Sequence, residues 1–183
     1  MATNGRPGPV LIDIPMDLQR TKINPKKLRA FKPPLVNNVL NFKKIIRNIE
    51  INLQKSKKPV LILGGGIKYS KAELELKNFL KSYDIPIVTT WSGVDLIDHE
   101  NKNYIGNIGV YGSRAANFAV QNSDLILSIG SRLDTRITGG TPKSFARNAK
   151  KIVVDIDKYE LNKKRGLKIY LKINSDVKFL NGW

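Results

Sequence analysis

From residue 58 onward, short unbroken apolar runs alternate with segments whose apolar positions recur every three or four residues. The runs are Pro59-Val-Leu-Ile-Leu63, Pro86-Ile-Val-Thr-Thr90, Asp124-Leu-Ile-Leu-Ser-Ile129, Lys151-Ile-Val-Val-Asp155 and Lys168-Ile-Tyr-Leu-Lys-Ile173. A run without polar alternation predicts a strand buried on both faces, which is the habit of parallel sheets. Between them, residues 41–56 place Phe42, Ile45, Ile46, Ile49 and Leu53 on one helical face. A second helix is predicted over 71–82, with Leu74, Leu76, Phe79 and Leu80 as apolar positions and Ser70 as its cap. Further helices are predicted over 114–122 and around 159–163, and a long loop carries Gly93, Gly106, Gly109 and Gly112. This alternation predicts an α/β domain: a doubly wound parallel sheet of five to six strands with right-handed crossovers and helices on both faces.

The first 37 residues read differently. Pro9-Val-Leu-Ile-Asp-Ile-Pro15 predicts a single strand bounded by prolines. Residues 16–37, with Pro25, Pro33, Pro34, scattered lysines and no apolar period, have the composition of a linker. A strand ahead of a linker predicts the tail of a preceding domain, so that the α/β domain occupies 38–183.

Composition narrows the chemistry. The 183 residues contain no cysteine and one histidine, His99, which removes disulfides, thiolate metal sites and a Ser-His-Asp triad, and His99 itself reads as an exposed bystander in a polar loop. No apolar stretch reaches the roughly 18 residues that span a bilayer, and the N-terminus lacks the apolar core of a secretory signal; no membrane association and a cytoplasmic location are expected. The formal charge of +17 raises nucleic acid as a partner. Its distribution argues against one: residues 1–58 hold 13 basic and 3 acidic residues, the rest 19 and 12, mostly as surface lysine pairs with no stacking aromatics.

Candidate binding residues fall at the carboxyl ends of the strands, where open parallel sheets bind ligands. Gly64-Gly65-Gly66 lets backbone approach either a pyrophosphate or a neighbouring loop, but lacks the spacing of a dinucleotide fingerprint and the Lys-Ser/Thr of a P-loop. The segment from Gly130 to Gly139 presents Arg132, Asp134 and Arg136, a phosphate clamp or else a structural pair pinning a loop. Asp155 and Asp157 either accept from ribose hydroxyls or cap the next helix, and Asp176 closes the set.

Taken in order, residues 5–15, Pro-Val-Leu-Ile-Leu-Gly-Gly-Gly (59–66), Gly-x-x-Gly-Ser-Arg-Ala-Ala-Asn (109–117), the stretch 119–139, Phe145-Ala, and Ala149-Lys-Lys-Ile-Val-Val-Asp-Ile-Asp157 resemble the acetolactate synthase branch of thiamine-diphosphate-dependent enzymes. The resemblance implies that 1–15 is the terminal strand of a pyrimidine-binding domain, 16–37 a linker, and 38–183 the Rossmann-like central domain. Thiamine diphosphate and magnesium would then be held by the flanking pyrimidine- and diphosphate-binding domains of a homo-oligomeric parent enzyme. The family's Gly-Asp-Gly diphosphate motif does not occur here, so the chain alone is expected to be inactive. Central domains of this family hold FAD, ADP or nothing. The resemblance places such a nucleotide along Gly64, Gly65, Gly66, Thr90, Gly112, Arg114, Asn117, Gly130, Arg132, Asp134, Arg136, Asp155, Ile156 and Asp176. Trp91 and Tyr111 depart from the family pattern and are expected either to block a flavin or to stack on it. The rival reading is an independent NAD- or nucleotide-binding module, which leaves residues 1–37 without a role.

Overall fold

The computed structural model describes residues 2–3, 5–32 and 41–178. The chain divides into two units, Met1–Asn37 and Asn38–Trp183.

In the first unit the expected strand does not form: residues 9–14 enter no sheet, and Leu11 is 93% exposed. A β-branched run gains little as a strand without neighbours to satisfy its backbone. The linker composition of 16–37 nevertheless contains one turn of helix, α1 (Met16–Gln19), and a 3₁₀ turn over Pro25–Lys27 whose first amides are capped by Asn24. Residues 33–37 of the expected linker lie outside the described residues.

The second unit opens with α2 (Phe42–Lys55), started by Asn41, whose side chain accepts from the Lys44 amide at 3.1 Å. There follow β1 (Pro59–Leu63), α3 (Gly66–Tyr69), α4 (Glu73–Ser82), β2 (Ile87–Thr89) and a 3₁₀ segment over Trp91–Leu96. The chain continues through β3 (Tyr104–Asn107), α5 (Arg114–Gln121), β4 (Leu125–Ile129), α6 (Thr135–Thr138), β5 (Lys150–Asp155), α7 (Lys158–Asn162) and β6 (Leu171–Asn174). All six strands are parallel, in the order β3-β2-β1-β4-β5-β6. The winding direction reverses between β1 and β4, the position at which doubly wound sheets open a crevice.

Every residue of β4 is buried, as are all but the first of β1 and β5, and their side chains divide between two cores. Leu61, Leu63, Leu127 and Val154 meet Ile49 of α2, Ile67 of α3 and Leu76 and Phe79 of α4 on one face. Val60, Ile62, Ile126 and Val153 meet Ala116 and Val120 of α5 and Leu161 of α7 on the other. Each such side chain contributes about 1.5–3 kcal/mol on full burial, so this two-sided packing is the main support of the fold.

The second unit departs from the sequence expectation in four places. The helix expected over 71–82 forms as α4 but begins at Glu73, after a separate turn of helix, α3, from which Lys71 at φ 52 divides it; Ser70 ends α3 instead of capping α4, whose N-cap is Ala72. Leu74 faces outward, 70% exposed, while Leu76 and Phe79 are buried. The glycine loop contains an additional strand, β3, tied to β2 by Asn107, whose Oδ1 accepts from Thr89 Oγ1 at 2.6 Å and from the Tyr104 hydroxyl at 3.1 Å. The last strand begins at Leu171 rather than Lys168, leaving Tyr170 exposed.

Lys151 is buried within β5, where its Nζ donates to the carbonyls of Ala146 at 2.6 Å and Ala149 at 3.0 Å. Desolvation lowers its pKa below 10.5. The unfolded chain therefore binds more protons between the folded pKa and 10.5, and stability rises with pH across that interval. Lys151→Met is expected to lose this alkaline rise while changing stability at neutral pH by no more than about 1 kcal/mol, since the lost hydrogen bonds and the lost desolvation cost oppose one another. Urea unfolding of both proteins at neutral pH and near pH 10 measures it.

Candidate functional site

The expected site residues converge on the carboxyl edge of the sheet, and most of their polar groups are engaged within the chain. The Gly64–Gly66 turn packs backbone to backbone on the loop after β4. The Gly64 amide donates to the Ile129 carbonyl and that of Gly66 to the Gly130 carbonyl, both at 2.9 Å. A Cβ on Gly64 would lie 2.3 Å from the Gly130 oxygen, and one on Gly66 2.8 Å from the Gly130 Cα. The close approach for which these glycines are needed is therefore to Gly130, itself at φ 65. Gly65 abuts Ser92. Thr90 is buried at the end of β2, its amide donating to the Leu63 carbonyl at 2.9 Å.

Beyond β3 the chain makes a tight turn. Gly112 is required there, because a Cβ would lie 2.5 Å from the Ile108 carbonyl carbon. Asn117 clamps the turn from α5: its Oδ1 accepts from the Gly109 amide at 3.0 Å and its Nδ2 donates to the Gly109 carbonyl at 2.9 Å. Arg114, the first residue of α5, is exposed. The exposed rings of Trp91 and Tyr111 are brought together, centroids 5.6 Å apart and tilted by 34°. His99 is exposed and edge-on to Tyr104.

After β4, Leu133 turns its side chain into the core at φ 49, and Arg132 and Asp134 pair on either side of it. Asp134 Oδ2 accepts from Arg132 Nη2 at 3.1 Å and Nε at 3.3 Å, while its Oδ1 caps α6 through the Arg136 amide at 3.0 Å. The side chain of Arg136 is exposed, and its carbonyl accepts from the Val110 amide. At the end of β5, Asp155 Oδ1 accepts from the Asp157 amide at 2.8 Å, and Asp157 caps α7 through the amides of Tyr159 and Glu160. The Ile156 carbonyl accepts from Asn174 Nδ2 at 2.8 Å. Asp176 makes a local turn through the Lys178 amide.

Two residues absent from the sequence-based set complete this edge. Glu160 on α7, 12% exposed at its side chain, accepts from Arg165 Nη2 at 3.1 Å and lies 3.9 Å from Arg132 Nη1. The same Arg165 nitrogen reaches the carbonyls of Arg132 at 2.8 Å and Glu160 at 3.1 Å. The run Lys163-Lys164-Arg165 was the available signal, but nothing in it distinguishes the one inward arginine from two solvated lysines. No cluster of three or more metal-ligating side chains occurs among the described residues, and no helix among them is long and apolar enough to cross a membrane.

The thiamine pyrophosphate enzyme central-domain family matches residues 46–180. Over 172 residues the chain is 36% identical to the acetolactate synthase isozyme 2 large subunit of Escherichia coli, covering 94% of this chain and 31% of that protein. It is 35% identical over 188 residues to a probable acetolactate synthase large subunit of Methanococcus aeolicus, covering 98% and 30%, and 35% identical over 185 residues to the chloroplastic acetolactate synthase 2 of Nicotiana tabacum, covering 97% and 26%. The chain thus spans under a third of the length of these relatives. With this match over most of its length and a six-stranded doubly wound sheet, the chain belongs to the family of thiamine pyrophosphate enzyme central domains.

Proposed function

We propose that the chain is the non-catalytic central domain of an acetolactate synthase-like enzyme that acts on 2-keto acids with thiamine diphosphate and magnesium. The observation that carries this reading is the match of nearly the whole chain to under a third of several acetolactate synthase large subunits, through a family defined as the central domain. The cofactor's own chemistry is stabilisation of a carbanion formed from the keto acid. The residues of this chain would contribute position: a sheet buried on both faces is a stiff body against which flanking pyrimidine- and diphosphate-binding domains can be held in fixed geometry within a homo-oligomer. Residues 1–15 and 16–37 serve in this reading as the final strand of the pyrimidine-binding domain and the linker. The exposed apolar side chains of Val10, Leu11, Ile12 and Ile14 support it, since a strand of this composition becomes stable when it joins a sheet.

Calorimetric titration of the purified chain with thiamine diphosphate and magnesium is expected to be silent, and a polypeptide carrying this chain between both flanking domains is expected to consume a 2-keto acid. Tight thiamine diphosphate binding by the chain alone would refute the non-catalytic reading. Tight NAD binding would instead favour an independent nucleotide-binding module.

A further inference from the structure

A nucleotide lying along the strand ends would need open space between the loop after β4 and the start of α7, with Asp155 turned toward its ribose. In this structure that space is filled by the chain itself. Arg165 reaches across from the segment before β6 and bonds at once to the Arg132 carbonyl, the Glu160 carbonyl and the Glu160 carboxylate. The depression beneath these groups, walled also by Leu133, Val153, Leu161 and Ile169 of the core, leaves no room for a water molecule. Neighbouring groups are committed in the same way. Asp134 is shared between Arg132 and the α6 amide, Asn117 spends both ends of its amide on Gly109, and the Cβ positions of Gly64 and Gly66 point into Gly130.

We infer that the Arg165–Glu160 clasp takes the place of a nucleotide in this domain: it ties the β4 loop to α7, and neither FAD nor ADP binds. The Nη2 of a half-buried arginine, shared between a carboxylate oxygen and two carbonyls, supplies the multipoint tether between strand ends that a bound diphosphate and ribose would otherwise provide. Glu160 is held by the Asp157 cap of its own helix, and the Arg165 amide donates to the Lys163 carbonyl at 3.1 Å, so both halves of the clasp are fixed by short local structure.

Thermal unfolding of the chain with FAD and with ADP tests the inference. A nucleotide present at a hundred times its Kd would raise Tm by about 5–10 °C in a domain of this size; no rise is expected at millimolar concentration of either. Arg165→Ala is expected to lower Tm by about 5 °C or more, and Arg165→Lys, which keeps the charge but has a shorter reach than the guanidinium Nη2, to recover only part of the loss. If Arg165→Ala does not fold, Glu160→Gln gives the same reading through the loss of the carboxylate charge. A saturable rise in Tm with FAD or ADP overturns the inference, as does a wild-type Tm in both clasp variants. Such binding would leave the central-domain assignment standing, because that rests on the family match.

Discussion

Gly64→Ala is expected to destabilise the domain by about 3 kcal/mol or more, enough to remove much of the roughly 5–15 kcal/mol that holds a typical domain folded. The added methyl would lie 2.3 Å from the Gly130 oxygen, 2.6 Å from the Ser131 Cβ and 2.7 Å from the Gly130 carbonyl carbon. All three belong to the loop leaving β4, and that loop cannot retreat. The Gly64 and Gly66 amides are bonded to Ile129 and Gly130, and the Gly130 amide donates to the Val154 carbonyl of the next strand at 3.1 Å. Relief must therefore come from separating β1 and β4, the central pair of the sheet. Gly65→Ala is the internal control. Its methyl would lie 2.8 Å from both the Cβ and the Oγ of Ser92 and 3.2 Å from the Ser92 carbonyl oxygen; rotation clears only the hydroxyl, and the rest is relieved by a shift of the exposed 3₁₀ segment rather than of a central strand, so a smaller cost of about 1–2 kcal/mol is expected. Urea midpoints of the two variants check the ranking; equal midpoints would mean that Gly64 and Gly65 share one role, such as admitting a ligand.

The contrast between these glycines shows where the sequence was legible. The buried strands β1, β4 and β5 could be read directly, because both of their faces are apolar and little else produces such runs. The strand β3 could not: Tyr104–Asn107 is short, half-buried throughout and contains Gly106 at φ 134, with a register shift against β2 between Ile87 and Val88. Its pairing depends on the Thr89, Tyr104 and Asn107 side chains meeting across the strands, a tertiary fact with no local pattern. Residues 9–14 failed for the opposite reason, since their strand propensity is plain but no strand among the described residues pairs with them.

At the site, the types and positions of the strand-end residues were readable, and their partners were not. Asp157 caps a helix, and Gly64 and Gly66 pack on a neighbouring loop. Arg132 and Asp134 do pair, two residues apart. Arg165 is 33 residues from Arg132, and only the return of the chain between α7 and β6 brings them together.

At the opposite edge, Asp124→Ala is expected to cost about 2–4 kcal/mol, because one carboxylate there closes the entrance to both central strands. Its Oδ1 accepts from the Ser56 hydroxyl and, at 3.0 Å, from the Lys58 amide, while its Oδ2 accepts from the Lys57 amide at 2.8 Å. These three donors sit where α2 hands over to β1, and Asp124 itself leads into β4, so its loss frees the end of α2 from the sheet. Burial alone would raise the Asp124 pKa, but the Ser56 hydroxyl and the two lysine amides outweigh it and hold the group below its ordinary 3.8. A carboxyl whose pKa is depressed in the folded state stabilises fully above 3.8 and loses that contribution as pH falls through the lower folded value. Asp124→Asn retains an acceptor oxygen but turns its carboxamide NH2, a donor, toward a backbone N–H, and is expected to cost about 1–2 kcal/mol at neutral pH. The gap between wild type and Asp124→Asn should therefore be constant from neutral pH down to about 4 and narrow below it. Urea unfolding across that range measures the gap. A gap that stays constant well below pH 3 would mean that the neutral acid serves the three donors as well as the carboxylate, and that shape rather than charge holds α2 to the sheet.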